Sequence, residues 1–153
     1  MARTLRGTGR RTLVCALAAA VLALAAPFAR ADIYIVVNAA NSVSTLSQNE
    51  ALDLFMGRSR HFTGGKNAQT FDLARNSAAR ETFYKLLTGM DMPQVNSYWA
   101  RLMFSGQTLP PQPVTSEDAM ADLLKRTPGA IGYLTQPPAD KALTVVLVLK
   151  DPR

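Results

Sequence analysis

Two short apolar runs constrain this chain more than any other feature. Ile33-Tyr34-Ile35-Val36-Val37 and Leu143–Leu149 are rich in β-branched residues and bounded by polar or turn-forming stretches. Runs of that length read as strands buried on both faces, and Leu143–Leu149 reads as central. Between them the periodicity changes to that of helices. Ser47-Gln48-Asn49-Glu50 matches a capping box and predicts a helix to about Met56, ended by Gly57. Arg58–Lys66 reads as a loop, and Gln69–Ala74 as a strand with Phe71 and Leu73 on one face. Ser77 caps a second helix with Ala79, Phe83, Leu86 and Leu87 inward and a Glu81–Lys85 pair outside. Asp91-Met92-Pro93 opens a third, with Val95, Trp99, Leu102 and Met103 inward. Leu109–Pro113 reads as an extended connector. A fourth helix runs from Thr115 or Ser116 to about Arg126, with Ala119, Met120, Leu123 and Leu124 inward. Ala130–Leu134 then forms a strand. The order β-α-β-α-α-α-β-β predicts one α/β lobe, mostly parallel with right-handed crossovers and helices on both faces.

Charge says where the chain goes rather than what it binds. The net charge of +6 suggests a nucleic-acid partner until its distribution is considered. Arg3, Arg6, Arg10, Arg11 and Arg30 precede the first acidic residue, Asp32. Beyond that point 12 basic residues face 11 acidic ones, so a nucleic-acid partner is not expected. The Arg-bearing start leads into the 17-residue apolar run Leu13–Ala29, short of the ~20 residues that span a bilayer. Ala29-Arg30-Ala31 fits a signal-peptidase cut. Residues 1–31 thus read as a cleaved signal peptide and 32–153 as a single exported domain. Gly9-Arg10-Arg11-Thr12-Leu13-Val14 partly resembles a twin-arginine signal, leaving that route open beside the general secretory one. The one cysteine, Cys15, falls in the signal, so the domain has neither a disulfide nor thiol chemistry.

Catalytic signatures are missing. His61 is the single histidine, in a glycine-flanked loop, and no Gly-x-Ser-x-Gly elbow occurs. A zinc site, a serine triad and a phosphate-cradling loop at Gly64-Gly65-Lys66 are not expected. The chain reads as no enzyme, with no cofactor, and Tyr98 and Trp99 read as packing residues. In open α/β sheets ligands bind beyond the carboxyl ends of strands. Two segments leave strands that way, Asn38–Thr45 with Ser42 and Ser44, and Arg75-Asn76-Ser77 with Arg80 close behind. A helix N-terminus beside an arginine fork suits an oxyanion. The alternative is that the serines only cap turns and Arg75 pairs with Asp72.

Asp32–Leu134 resembles a lobe of the phosphate-type periplasmic substrate-binding proteins of ABC importers, in a short single-lobe branch. The landmarks are a strand ending in Asn38, Leu46-Ser47 opening a helix that closes with Leu54-Phe55-Met56-Gly57-Arg58, and a strand ending in Arg75. Next come a helix bearing Phe83, Tyr98-Trp99-Ala100-Arg101, Phe104-Ser105-Gly106, and Thr127-Pro128-Gly129-Ala130-Ile131-Gly132-Tyr133. The resemblance implies that Arg75 and Ser77 hold the anion, with Arg80 as the alternative charge; Ser42 and Ser44, from the first strand-end segment, would then face that turn. Three departures stand out. The loop is about two residues shorter, Ala78-Ala79 replaces Gly-Thr, and Asn76 stands where an acid accepts the proton of hydrogen phosphate. The implied function is periplasmic binding of an inorganic oxyanion, phosphate first, accessory to a membrane transporter or sensor. The family encloses its anion between two lobes, and 122 residues make one, so a homodimer or another protein would complete the cleft. The competing reading is an interaction module that kept the fold and lost the ligand.

Overall fold

A computed structural model of the chain describes residues 32–152. The expected signal peptide, its cut after Ala31 and Cys15 lie outside the described residues. The chain runs β1 (Ile33–Asn38), α1 (Gln48–Phe55), β2 (Gln69–Leu73), α2 (Ala78–Thr88), α3 (Met92–Phe104) and β3 (Gln112–Val114). It continues as α4 (Glu117–Arg126), β4 (Ala130–Leu134) and β5 (Leu143–Leu149). Five strands form one mixed sheet in the order β3-β2-β4-β1-β5.

Strand direction departs from expectation. β2 pairs parallel with β3 and β4, but β1 runs antiparallel to both β4 and β5. The first β-α-β stretch is therefore not a parallel crossover between neighbours, because β4 lies between β1 and β2. β1 is interior and its Ile33, Ile35, Val36 and Val37 are fully buried. β5, by contrast, is an edge strand. It is buried only at every third residue, Leu143, Val146 and Leu149. The cause is a register shift in the β1–β5 ladder, where Ile35 pairs with Leu147 but Val36 with Val145. Val146 is the extra residue of a bulge. Its carbonyl accepts the Leu46 N–H at 2.9 Å, so the segment before α1 covers this edge. At the opposite edge β3 was expected as a connector. Pro111 and Pro113 remove two backbone donors there, which suits an outermost position.

Consecutive strand residues point to opposite faces, and β4 shows what covers each. A Cβ at Gly132 would lie 2.4 Å from the Sδ of Met120, so glycine is what lets α4 approach one face. On the other face the Tyr133 ring stacks on Phe83 of α2 at 3.8 Å and meets Phe55 of α1 edge-on at 6.2 Å. Helices thus pack on both faces. Asn38 ties the end of β1 to α4: its amide donates to the Leu124 and Lys125 carbonyls at 2.8 Å, and its oxygen accepts the Ala40 N–H.

The caps follow the sequence. Ser47 and Glu50 form the full capping box of α1, Asp91 and Gln94 form that of α3, and Ser116 caps α4. Gly57 turns left-handed at φ 70°, where an added Cβ would meet Trp99 Cη2 at 2.9 Å. Two helix faces differ from the periodicity. Met103 of α3 is exposed rather than inward. On α2 the buried set is Arg80, Phe83, Tyr84 and Leu87, while Ala79 and Leu86 are only half-buried. That rotation puts a charged residue into the core. Lys85 makes no ion pair with Glu81 and instead donates to the Gly89 carbonyl at 3.0 Å, near the negative end of the helix.

Candidate functional site

The turn from β2 into α2 is backed by a buried cluster of bonded polar groups. Asp72 points into the core between Phe71 and Leu73, and all three are buried because both faces of the sheet are covered. Its Oδ2 accepts the Arg80 Nε–H at 2.7 Å and the Tyr84 hydroxyl at 3.0 Å. Its Oδ1 accepts the Tyr133 hydroxyl at 2.6 Å. The Tyr133 oxygen in turn accepts the Leu73 N–H at 3.2 Å, beyond the point where β2 and β4 pair. Arg80 is 7% exposed and lies over the Tyr84 ring, its guanidinium carbon 5.0 Å from the ring centre. Burial works against its charge, yet the Asp72 carboxylate outweighs this and holds the guanidinium above its usual range. Burial, reinforced by Asp72, raises both tyrosine hydroxyls, which therefore remain donors at any ordinary pH. Every oxygen of the carboxylate is satisfied, the condition under which a buried charge is tolerated.

Arg75 lies just past this cluster. The expected alternative of an Arg75–Asp72 pair is not what the chain forms, since Asp72 is taken by Arg80. Arg75 is exposed and makes no hydrogen bond or ion pair with any described residue. The Ser77 N–H donates to the Ala74 carbonyl at 2.9 Å and closes the turn around Arg75 and Asn76. The Ser77 hydroxyl accepts the Arg80 N–H at 3.4 Å and caps α2. Ala78 and Ala79 follow in the first turn, where amides have no intrahelical partner. The structure therefore joins Arg75 and Ser77 at one helix N-terminus. Arg80 shares the turn by sequence, but its side chain is committed to the core.

Ser42 and Ser44 are not brought to that turn. β1 and β2 run in opposite directions, so their carboxyl ends lie at opposite ends of the sheet. Leu46, two residues after Ser44, lies outside β5, four strand spacings from β2, or about 19 Å. Ser42 and Ser44 line a separate cleft of ≈ 490 Å³ with Val43, Ser47, Glu50 and Thr63. Its charged member is a carboxylate. Glu50 accepts the Thr63 hydroxyl and both the amide and hydroxyl of Ser47. Led by the Thr63 bond, these hold its pKa at about 2, against an ordinary 4.5. An anion entering this cleft would be repelled.

Those bonds predict an acid arm of stability. A carboxyl depressed in the folded state stabilises above its unfolded pKa, and the contribution is lost as pH falls from 4.5 towards about 2. Acid unfolding of Glu50→Gln should lack this component, so the two proteins differ at neutral pH and converge near pH 2. Parallel curves throughout would contradict the Glu50 contacts.

Of the other residues considered, His61 is exposed in the loop and forms an isolated bridge with Asn67. Trp99 is core, 5% exposed with its Nε1 buried. Among the described residues no three His, Cys, Asp or Glu side chains group to hold a metal ion, and no helix is long and apolar enough to cross a membrane. Tyr84 and Tyr133 carried no polar role in the sequence reading, and Asp72 was expected to pair with Arg75 rather than Arg80. The available signal was an acid inside the apolar triplet Phe71-Asp72-Leu73 with Arg80 eight residues on.

No family model matches the chain, and no curated protein matches it. Its fold is similar to solved structures of substrate-binding proteins. A candidate phosphate ABC transporter substrate-binding protein of Clostridium perfringens, solved with bound phosphate, aligns at TM-score 0.60 and 16% identity, covering 76% of this chain and 45% of that one. An ABC-type phosphate transport receptor from Vibrio cholerae aligns at TM-score 0.58 and 17% identity, over 76% and 47%. A candidate phosphate binding protein of Planctomyces limnophilus aligns at TM-score 0.50 and 13% identity, over 68% and 36%. The chain spans less than half the length of each. The mixed sheet with its four helices matches a lobe of these proteins, in keeping with the fold the sequence resemblance implies.

Proposed function

We propose that this chain is a periplasmic oxyanion-binding protein of phosphate type, accessory to ABC transport or sensing, and that it holds the anion at the Arg75–Ser77 turn. One observation carries the reading. Arg75, exposed and without a partner among the described residues, stands two residues before the N-cap of α2, and the nearby Asp72 carboxylate is already neutralised within the core. A guanidinium fork and unpaired amides at the positive end of a helix are complementary to a tetrahedral oxyanion. The neighbouring structures, one with phosphate bound, support a binding function over catalysis. Ser42 and Ser44 drop out of the site on distance and on the charge of Glu50. A single lobe leaves the anion partly in water, where each contact is weaker. A second copy of the chain or another protein would supply the opposite wall.

Melting in phosphate, sulfate and chloride at equal ionic strength tests this. Phosphate at 100 times its dissociation constant should stabilise by roughly 2.7 kcal/mol, with chloride inert. Three identical melting curves would contradict an anion site and favour a second reading, a ligand-free interaction module. That reading rests on a separate observation. Met103, Phe104 and Leu109 are 49%, 97% and 76% exposed within seven consecutive residues, large apolar side chains that contact with a partner would cover.

A further inference from the structure

We propose that Arg80 is a positioning residue of the anion site and not one of its ligands: by neutralising Asp72 inside the core it keeps Arg75 unpaired and facing solvent. The inference rests on the anion-binding reading and assigns the second arginine of that turn a different part in it. Two arginines compete for one carboxylate here. Asp72 stands three residues before Arg75 and eight before Arg80, and it is Arg80 that reaches it, at 2.7 Å.

The surroundings explain that choice. Arg80 begins the buried stripe of α2, and its guanidinium is held over the Tyr84 ring while Nη1 contacts the Met92 sulfur at 3.8 Å. Tyr84 and Tyr133 occupy the rest of the carboxylate, one oxygen each, from α2 and β4. Neither oxygen of Asp72 is left without a partner for Arg75 to take. The Arg80 amide meanwhile closes the Ser77 cap, so one residue fixes the turn through its backbone and screens it through its side chain. Removing the guanidinium alone would leave a buried charge beside the turn, served by two neutral hydroxyls. That charge would attract Arg75 and repel an arriving oxyanion. Removing both charges would restore neutrality without restoring Arg80, and the two possible roles of Arg80 then predict opposite results.

Calorimetric titration of inorganic phosphate into Arg80→Gln, Asp72→Asn/Arg80→Gln and the unaltered protein separates them. Arg80→Gln should bind about tenfold more weakly or worse, the effect of an unneutralised unit charge several ångströms from the anion. The double variant should return to within about threefold of the unaltered protein, since a neutral core pair places no charge at the site. If Arg80→Gln fails to fold, Asp72→Asn takes its place beside the double variant: it leaves the Arg80 charge unneutralised and should bind phosphate several-fold more tightly, and unchanged affinity there would overturn the proposal. Loss of binding in the double variant would show Arg80 to be a ligand and overturn the proposal. So would unchanged affinity in a folded Arg80→Gln, which would reduce the pair to a structural role. Absence of binding by the unaltered protein would remove the anion site itself, and with it this inference. That outcome is distinct from binding that survives in the unaltered protein and depends on Arg75 alone.

Discussion

Replacing Arg80 with Met should destabilise the fold by about 3–5 kcal/mol, the cost of leaving a buried charge without its partner. Domains of this size are stable by only about 5–15 kcal/mol, so the variant should sit near its unfolding threshold. The size of the effect follows from geometry. Asp72 is 5% exposed and Arg80 is 7% exposed, so water cannot take over the lost bond. Tyr84 and Tyr133 would still donate, but neither carries a charge. Arg75→Ala should leave the melting temperature essentially unchanged, because Arg75 is exposed and bonds to no described residue. Chemical denaturation of the two variants checks the contrast. Equal and small losses in both would mean that the Asp72–Arg80 pair is solvated and that the core network does not form.

How much of this was legible in the sequence depends on what kind of force writes each feature. Local hydrogen bonding was legible: the Ser47–Glu50 box, the Asp91 and Ser116 caps and the glycine stop at Gly57 all appear where the residues place them. Strand direction was not. An apolar run such as Ile33–Val37 reports that it is buried but not which way it runs, and the intervening helix suggested a parallel crossover. β5 misled for a related reason. Its apolar run reads as central, yet a bulge at Val146 and a cover from Leu46 shield an edge just as well.

The candidate site divides the same way. Ser77 was legible as a cap because capping is local. Ser42 and Ser44 were grouped with Arg75 on the rule that ligands gather beyond strand ends, and the reversed β1 sends them to the other end of the sheet. Arg80 was the hardest to place. A hydrophobic stripe reads an arginine as the outer boundary of a helix face, whereas Asp72, Tyr84 and Tyr133 together make the core polar enough to accept it. Only the fold brings those four residues within bonding distance, since Tyr133 is 61 residues from Asp72.

The most direct test of the anion site is the affinity of Arg75→Ala for inorganic phosphate, titrated calorimetrically beside the unaltered protein, Arg75→Lys and Arg101→Ala. Loss of a charge-assisted hydrogen bond should cost roughly 1.5–3 kcal/mol, between one and two decades in dissociation constant. Arg75→Lys should recover part of that, because an ammonium keeps the charge but cannot present two parallel donors. Arg101 lies over Tyr98 on α3, away from the turn, and its replacement should not affect binding. Phosphate binding that weakens in Arg75→Ala, recovers in part in Arg75→Lys and is unchanged in Arg101→Ala is the predicted result. Equal affinity in all four proteins would contradict it, because the anion would then sit somewhere other than the Arg75–Ser77 turn.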